Sequence, residues 1–226
     1  MDEIQALFGR IAPVYDPLND ALSLGLHHVW KRMAVQWVAP PVGSIVLDLC
    51  CGTGDLAHLL AQAVGAQGQV YGVDFARPML AQAQRRYPAP QITWVEGDVL
   101  ALPFADGSCQ GVTMGYGFRN VRDRRRCLQE IYRVLQPGYR AALLDFHRPA
   151  DPLIQSFQRA YLETLVVPLA RGFGLGPDYA YIWESLQRFP TGPEQVALAK
   201  TLGFHAVHYP LMGGLMGVLV LTRPAD

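Results

Sequence analysis

Three aspartates, Asp48, Asp74 and Asp98, stand at or just after the ends of short apolar runs. A carboxylate in the position of Asp74 can accept hydrogen bonds from both hydroxyls of a ribose. In a nucleoside site Asp98 can accept from the adenine amino group, while Val99 donates its backbone N–H. A single aspartate at such a place is often only a turn former. Three at the ends of successive strands indicate a nucleoside-binding site.

A glycine loop, Gly52-Thr53-Gly54, follows the first of these runs and also fits the dinucleotide-binding fingerprint. Asp48 and Asp55 flank the loop, which contains no lysine or arginine. A pyrophosphate binds best at a helix N-terminus without a neighbouring acid, whereas S-adenosylmethionine carries a sulfonium and an ammonium and no phosphate. The acids therefore favour S-adenosylmethionine as the cofactor. A nicotinamide dehydrogenase is the disfavoured alternative.

The elements that must position these residues alternate between strands and helices. Apolar patterns predict strands at 44–49, 69–74, 91–96, 110–116 and 140–146, and helices at 55–64, 77–87 and 123–135. Runs at 205–210 and 215–222 predict a closing antiparallel hairpin. The alternation predicts an α/β fold with a seven-stranded, mostly parallel, doubly wound sheet.

The 226 residues suit a single domain, 1–226. We divide it into a helical lid (1–40), a cofactor-binding core (41–150), a helical substrate insertion after the fifth strand (151–203) and the hairpin (204–226). Candidate helix caps in the later part are Asp151 before Pro152, and Thr191 with Glu194.

Composition excludes several classes of protein. Lys+Arg and Asp+Glu both number 19, so there is no general basic face for nucleic acid. The basic cluster at 122–126 is interpreted as a solvated helix start, with an anionic membrane surface as the alternative. The four cysteines match no zinc spacing, and neither a signal peptide nor a membrane-spanning run is present. We expect a cytoplasmic protein with reduced cysteines and no metal.

Several segments of the sequence resemble one family. VLDLCCGTGDL, VYGVDFARPML, VEGDVLALPFADGSCQGVTMGYGFRNV and YRVLQPGYRAALLDF are similar to class I methyltransferases. FGRIAPVYDPLNDALSLGLHHVWKR, GYGFRNV and YAYIWESLQRFP resemble the quinone C-methyltransferases of menaquinone, phylloquinone and ubiquinone synthesis. The likeness is greatest to the shorter members that methylate naphthoquinones in photosynthetic bacteria.

The resemblance places the family's cofactor contacts on Thr53, Asp74, Asp98 and Val99, with Phe75 beside them. A further, often polar, contact falls on Gly115, where only the backbone can act. Two other departures are Tyr139 in place of a glycine and His28 in place of an arginine.

The resemblance implies methylation of a ring carbon in a prenylated naphthohydroquinone. Arg119 would then hold the phenolate or order a water, and Asn120 would fix the ring oxygen; the alternative is that Arg119 pairs with a carboxylate and Asn120 caps a helix. His27 and its neighbour His28 are candidate bases at neutral pH, or an exposed pair without a role. Tyr15 is expected to close over the cofactor, with packing within the lid as the alternative.

The apolar stretch 157–175 is interpreted as core, with an isoprenoid channel or a patch touching the bilayer as alternatives. Peripheral membrane contact and a homo-oligomer are therefore conceivable. Two further functions remain open: methylation of a benzoquinol in ubiquinone synthesis, and a non-catalytic scaffold with this fold.

Overall fold

The computed structural model describes residues 23, 25–166, 168 and 183–225. The helices of these ranges are α1 (Leu26–Val38), α2 (Asp55–Val64), α3 (Arg77–Arg86), α4 (Arg124–Val134), α5 (Pro152–Tyr161) and α6 (Gly192–Lys200), with further helical turns at Phe118–Asn120, Leu162–Val166 and 183–187. The strands are β1 (Ile45–Leu49), β2 (Gln69–Asp74), β3 (Ile92–Glu96), β4 (Val112–Gly115), β5 (Arg140–Phe146), β6 (His205–Leu211) and β7 (Met216–Thr222).

The strands form one sheet in the order β3-β2-β1-β4-β5-β7-β6. The first five are parallel, while β7 runs antiparallel to both β5 and β6. The chain order reverses between β1 and β4, and ligands of open α/β sheets bind at the carboxyl ends of strands beside such a reversal. The predicted α/β sheet and its closing hairpin are confirmed.

Two apolar layers enclose the sheet. On one face α1 and α2 pack through Ala34, Val38 and Leu60 against Val46 of β1. On the other face, α4 and α6 cover the alternate residues of the strands, such as Leu47. Because side chains alternate along a strand, the apolar runs of the parallel strands are buried on both sides.

The predicted helix starts are confirmed by their caps. The carboxylates of Asp123 and Asp151 accept backbone N–H groups of α4 and α5, at 2.9 and 2.8 Å respectively. Thr191 and Glu194 form the expected capping box before α6. Strand β4, in contrast, ends earlier than predicted, because Tyr116 has a φ of 61°, which is incompatible with an extended strand.

The helical N-terminal region is described only from Ser23 onward, with Leu24 outside the described residues. Here α1 belongs to the core, since Ala34 is fully buried and Val38 nearly so. None of the helices in the described parts of the chain is long and apolar enough to cross a membrane.

Candidate active site

A cleft of roughly 810 Å³ opens at the carboxyl ends of β1 to β4. Its position at the reversal of the strand order is the one expected for a ligand in this architecture. The residues that line it come from the loops after these strands and from α3: Cys50, Gly52, Asp74, Phe75, Met79, Asp98, Val99, Leu100, Gly115, Tyr116, Gly117, Asn120, Val121 and Arg122.

The glycine loop after β1 has a left-handed backbone at Cys50, Gly52 and Gly54, with φ values of 52°, 53° and 91°. Gly54 is required for a second reason. A Cβ at this position would lie 2.5 Å from the ring of Trp94, which packs behind the loop. Gly52 has open space around it and lines the cleft, whereas Gly54 is turned away and does not line it. The loop therefore presents its first glycine to a ligand.

Asp74, at the end of β2, is buried and points into this loop. Its two carboxylate oxygens accept the backbone N–H groups of Gly52 and Ala76, each at 2.9 Å. Burial raises the pKa of Asp74, and these hydrogen bonds oppose the rise. The backbone of Phe75 also donates to this carboxylate, which has about four acceptor positions, so one position can still accept a hydroxyl group from the cleft.

The loop after β3 supplies the third predicted acid. Asp98 accepts the backbone N–H of Leu100 at 2.9 Å and pairs with Arg122 at 3.5 Å. Val99 is buried beside it, and Phe75 lines the same cleft from the end of β2. The structure thus brings together the predicted ribose and adenine residues.

A smaller cavity of about 330 Å³ adjoins the cleft and shares Cys50, Gly52, Gly115 and Tyr116 with it. The other residues that line it are Lys31, Asp48, Cys51, Thr53, Asp55 and Leu56. Two predicted cofactor residues, Asp48 and Thr53, therefore face this cavity rather than the larger one.

Asp48 is completely buried at the end of β1. One carboxylate oxygen accepts the hydroxyl of Thr113 at 2.8 Å, and the other, Oδ2, has no hydrogen-bond partner among the described residues. Burial raises the pKa of Asp48 from 3.8 to about 7, against the opposing effects of the Thr113 hydrogen bond and the charge of Lys31. A buried carboxylate with an unsatisfied oxygen is suited to a cationic ligand.

Asp55 has a different role from the one its place beside the loop suggests. Its carboxylate pairs with Lys31 at 2.5 Å and with Arg86 at 2.9 Å, and it accepts the hydroxyl of Tyr87 at 2.8 Å. Burial alone would raise the pKa of Asp55, but Lys31 and the other partners lower it to about 2. The charge argument from sequence was therefore wrong for this acid, because two cations from other elements neutralise it.

Gly115 ends β4, and Asn120 lies in the helical turn that follows. A Cβ on Gly115 would lie 2.7 Å from Leu56, so only backbone can face the cleft here. Asn120 donates from Nδ2 to the carbonyl of Tyr116 at 3.5 Å, and its buried Oδ1 has no hydrogen-bond partner among the described residues. Asn120 therefore offers an acceptor to a bound molecule.

Arg119 lies next to Asn120 but does not line the cleft. Its guanidinium pairs with the carboxylate of Asp145 and donates to the hydroxyl of Ser185 at 2.7 Å. The other oxygen of Asp145 accepts the backbone N–H of Arg119 at 2.8 Å. The carboxylate-pairing alternative is the arrangement found, whereas a role in catalysis stays a prediction.

The candidate bases lie away from the cleft. His27 is buried at the start of α1 and lines neither cavity, so its role as a base stays a prediction. Potential ligand atoms of His27, His28 and Asp55 lie within 4.8 Å of one another. We assign no metal to them, because Lys31 already occupies the carboxylate. Tyr15 lies outside the described residues.

His147, at the end of β5, also faces away from the cleft and is buried. Its Nδ1 lies 3.0 Å from the carbonyl of Asp145, which can only accept, so Nδ1 carries the proton. Nε2 is then the acceptor for Gln195 and His208, each at 2.9 Å. The ring connects β5, α6 and β6.

The arginines of the basic cluster contact other groups of the protein. Arg122 pairs with Asp98, while Arg124, Arg125 and Arg126 donate to protein oxygens at 2.9 to 3.2 Å. These contacts favour the interpretation of the basic cluster as a helix start over that of a membrane-binding surface.

All four cysteines are described and none is in a disulfide, as predicted.

Lys31 and Tyr116 line the site, but neither was predicted from the sequence. Lys31 lies on the buried face of α1, and its only signal was a lysine within an apolar helical stripe. Tyr116 lines both cavities, and only its place between two glycines could have indicated a strained turn.

The chain is similar to several known proteins. A model of the ubiE/COQ5 methyltransferase family matches residues 1–222. The chain is 56% identical over 227 residues to the 2-phytyl-1,4-naphthoquinone methyltransferase of Nostoc punctiforme, covering 98% of this chain and 99% of that protein. It is also 56% identical to the protein of the same name from Thermosynechococcus vestitus, covering 99% and 100%.

Among solved structures, a SAM-dependent methyltransferase from Thermotoga maritima has a TM-score of 0.69. The match covers 96% of this chain and 98% of that one, at 19% identity. A likeness at this identity shows the fold.

Proposed function

This chain belongs to the ubiE/COQ5 methyltransferase family, and we propose that it transfers a methyl group from S-adenosylmethionine to a ring carbon of a prenylated naphthoquinol. The reaction is the last step of phylloquinone or menaquinone synthesis. The relatives at 56% identity carry the name of a naphthoquinone methyltransferase, which favours this ring over a benzoquinol. The observation that carries the proposal is the cleft in which Asp74, Asp98 and Asn120 meet.

The residues around the cleft fit the cofactor. Asp74 is suited to the ribose hydroxyls, and Asp98 with the backbone of Val99 to the adenine. The buried, unsatisfied Oδ2 of Asp48 suits a positive group, and no side chain can fill the space next to Gly115. S-adenosylmethionine supplies a methyl group made electrophilic by its sulfonium centre.

The acceptor needs a nucleophilic carbon. A neutral aromatic carbon is a poor nucleophile, but removal of the proton from a neighbouring phenol pushes charge onto it. A free phenol has a pKa near 10, by analogy with tyrosine, so the site must favour the phenolate or place a base near it. Asn120 is the residue best placed to hold the substrate, because its unsatisfied Oδ1 can accept from the second ring hydroxyl, which stays protonated when the first becomes the phenolate.

Arg119 acts through Asn120 rather than on the substrate. Its backbone N–H and its guanidinium both contact Asp145 at the end of β5. These two contacts fix the turn Phe118–Asn120 against the sheet and thereby fix the position of Asn120. We therefore assign Arg119 as a positioning residue.

The substrate tail has a candidate contact on α5. Leu153 and Phe157 are 81% and 62% exposed, and with Tyr161 they form a stripe at four-residue spacing. Met212, in the turn between β6 and β7, is 50% exposed. Phe157 therefore does not belong to the core, contrary to the interpretation of the stretch 157–175. Within this stretch, residues 167 and 169–175 lie outside the described residues. The stripe is suited to a lipid surface or an isoprenoid chain.

Vesicle flotation tests the membrane contact. Changing Leu153 and Phe157 to serine should reduce the bound fraction several-fold. Val42→Ser is the matched control, because Val42 is 82% exposed before β1, at the opposite end of the strands. Equal binding by the stripe variant and the control would contradict the membrane role.

Methyl transfer to reduced and oxidised naphthoquinone, followed by mass spectrometry, tests the reaction itself. The proposal expects a gain of one methyl group on the quinol and none on the quinone, since only the reduced ring carries the activating hydroxyl. Methylation of the oxidised ring at an equal rate, or of neither form, would contradict it.

A further inference from the structure

Tyr116 lies where the cleft and the smaller cavity meet, and it lines both. The cleft contains the residues suited to a nucleoside, Asp74 and Asp98. The smaller cavity contains Asp48, whose unsatisfied oxygen suits the ammonium of an amino acid, and Lys31, which pairs with Asp55. A ligand that joins a nucleoside to an amino acid through one atom would place that atom at Tyr116.

The backbone holds the tyrosine ring at this junction. Tyr116 has a φ of 61°, a left-handed conformation that is a clear outlier for a bulky side chain. The glycines on either side of it are closely packed: a Cβ on Gly115 would lie 2.7 Å from Leu56, and one on Gly117 would lie 2.5 Å from Cys50. Strained conformations of this kind persist where the surroundings fix them, and they concentrate at functional sites.

The ring has an environment suited to a cation. The Nζ of Lys31, whose charge is balanced by Asp55 at 2.5 Å, lies 5.9 Å from the centroid of the Tyr116 ring, and the centroid of the Phe146 ring lies 5.3 Å away on a tilted contact. The electron-rich face of an aromatic ring attracts cations, and more strongly when both are removed from water. Asp48 adds a carboxylate to the same cavity.

We propose that the Tyr116 ring contacts the sulfonium of the methyl donor and discriminates the charged donor from its neutral, demethylated product. The inference rests on the proposed function, because it takes S-adenosylmethionine as the ligand. It adds a residue that selects the charge state of the cofactor and thereby favours exchange of product for fresh donor.

Calorimetric titration with S-adenosylmethionine and with S-adenosylhomocysteine tests the proposal without any turnover. Tyr116→Phe should keep the ratio of the two dissociation constants within about twofold of the unaltered protein. Tyr116→Leu should raise the dissociation constant of S-adenosylmethionine about tenfold and that of S-adenosylhomocysteine less than about threefold. Tyr209→Leu is the control, since Tyr209 lies on β6, is 40% exposed and lines neither cavity, and its ratio should not change.

A second variant tests the proposal even if the leucine variant misfolds. Pentafluorophenylalanine at position 116 keeps the shape of a phenyl ring but reverses the charge of its face, so it should weaken the donor selectively. Equal weakening of both ligands, or an unchanged ratio in the fluorinated and leucine variants, would overturn the inference. If the unaltered protein binds neither ligand, the proposed function fails instead.

Discussion

The ammonium of Lys31 lies 2.5 Å from the carboxylate of Asp55, and both side chains are 8% exposed. Lys31 belongs to α1 and Asp55 begins α2, so this pair ties the N-terminal helix to the glycine loop. Asp48, on the other side of the loop, has no such partner for one of its oxygens. The two acids that flank the loop therefore differ in chemistry.

Asp55→Asn should destabilise the protein by about 3 kcal/mol at pH 7, because it leaves the buried charge of Lys31 unpaired. The pKa of Asp55 is lowered from 3.8 to about 2, so its stabilising effect is complete above about pH 4 and is lost as the pH falls through about 2. Urea unfolding at pH 7 measures the loss. A change below about 0.5 kcal/mol would contradict the structural role of the pair.

Asp48→Asn should have the opposite effect on stability. The pKa of Asp48 is raised to about 7, so the folded state holds a proton that the unfolded chain releases, and stability is lost as the pH rises from about 4 through about 7. The asparagine should raise Tm at pH 8 by about 3 °C and weaken binding of S-adenosylmethionine. Thermal unfolding at pH 5 and pH 8 checks the first claim and calorimetry the second. Tighter cofactor binding in the variant would exclude Asp48 from the site.

Gly54→Ala should lower the free energy of unfolding more than Gly52→Ala. Both positions have a left-handed backbone, for which an alanine costs about 1 kcal/mol. At Gly54 the added Cβ also lies 2.5 Å from Trp94, and relief of this overlap should bring the total to about 2 kcal/mol or more. Urea unfolding of the two variants checks the order, and Gly54→Ala with Trp94→Leu should recover part of the difference. Equal losses at both positions would show that Trp94 does not confine the loop.

Arg119→Lys should lower kcat about tenfold with little change in the KM for the quinol. Lysine keeps the charge but cannot contact Asp145 and Ser185 as the guanidinium does, so Asn120 loses its fixed position. Arg125→Lys is the control, since Arg125 is exposed and donates to the side chain of Thr201. Unchanged turnover would remove Arg119 from the mechanism, and a higher KM alone would indicate direct substrate contact.

His208→Asn should make the free energy of unfolding depend less steeply on pH in the acidic range. Burial, with the nearby His147, lowers the pKa of His208 from 6.5 to about 4. The unfolded chain therefore binds a proton that the folded state excludes, and stability falls as the pH falls from about 6.5 to about 4. His205→Asn, at an exposed place on the same strand, should leave the slope unchanged. Equal slopes in the two variants would contradict the prediction.

Much of the fold could be predicted because each signal lies within a short stretch of sequence. Strand β2 has the predicted bounds, and the caps at Asp123 and Thr191 act within three residues of their partners. The end of β4 could not be predicted in this way, since the glycines on either side of the left-handed Tyr116 pack against Leu56 and Cys50, which come from distant parts of the chain.

The site was predictable where function depends on position along a strand. Asp74, Asp98 and Asn120 follow strand ends, and all three line the cleft. The partners of charged groups were not predictable, because they come from distant segments. Asp145 lies 26 residues from Arg119, and Lys31 lies 24 residues from Asp55. A sequence shows that a charge is present, but not which opposite charge reaches it.

The central claim is methyl transfer to a naphthoquinol, and the most direct test offers the enzyme reduced phytyl-naphthoquinol and a reduced prenyl-benzoquinol side by side with S-adenosylmethionine. Mass spectrometry should find one added methyl group on the naphthoquinol, formed at least about tenfold faster than any benzoquinol product. Preference for the benzoquinol, or no methylated product from either ring, would contradict the account.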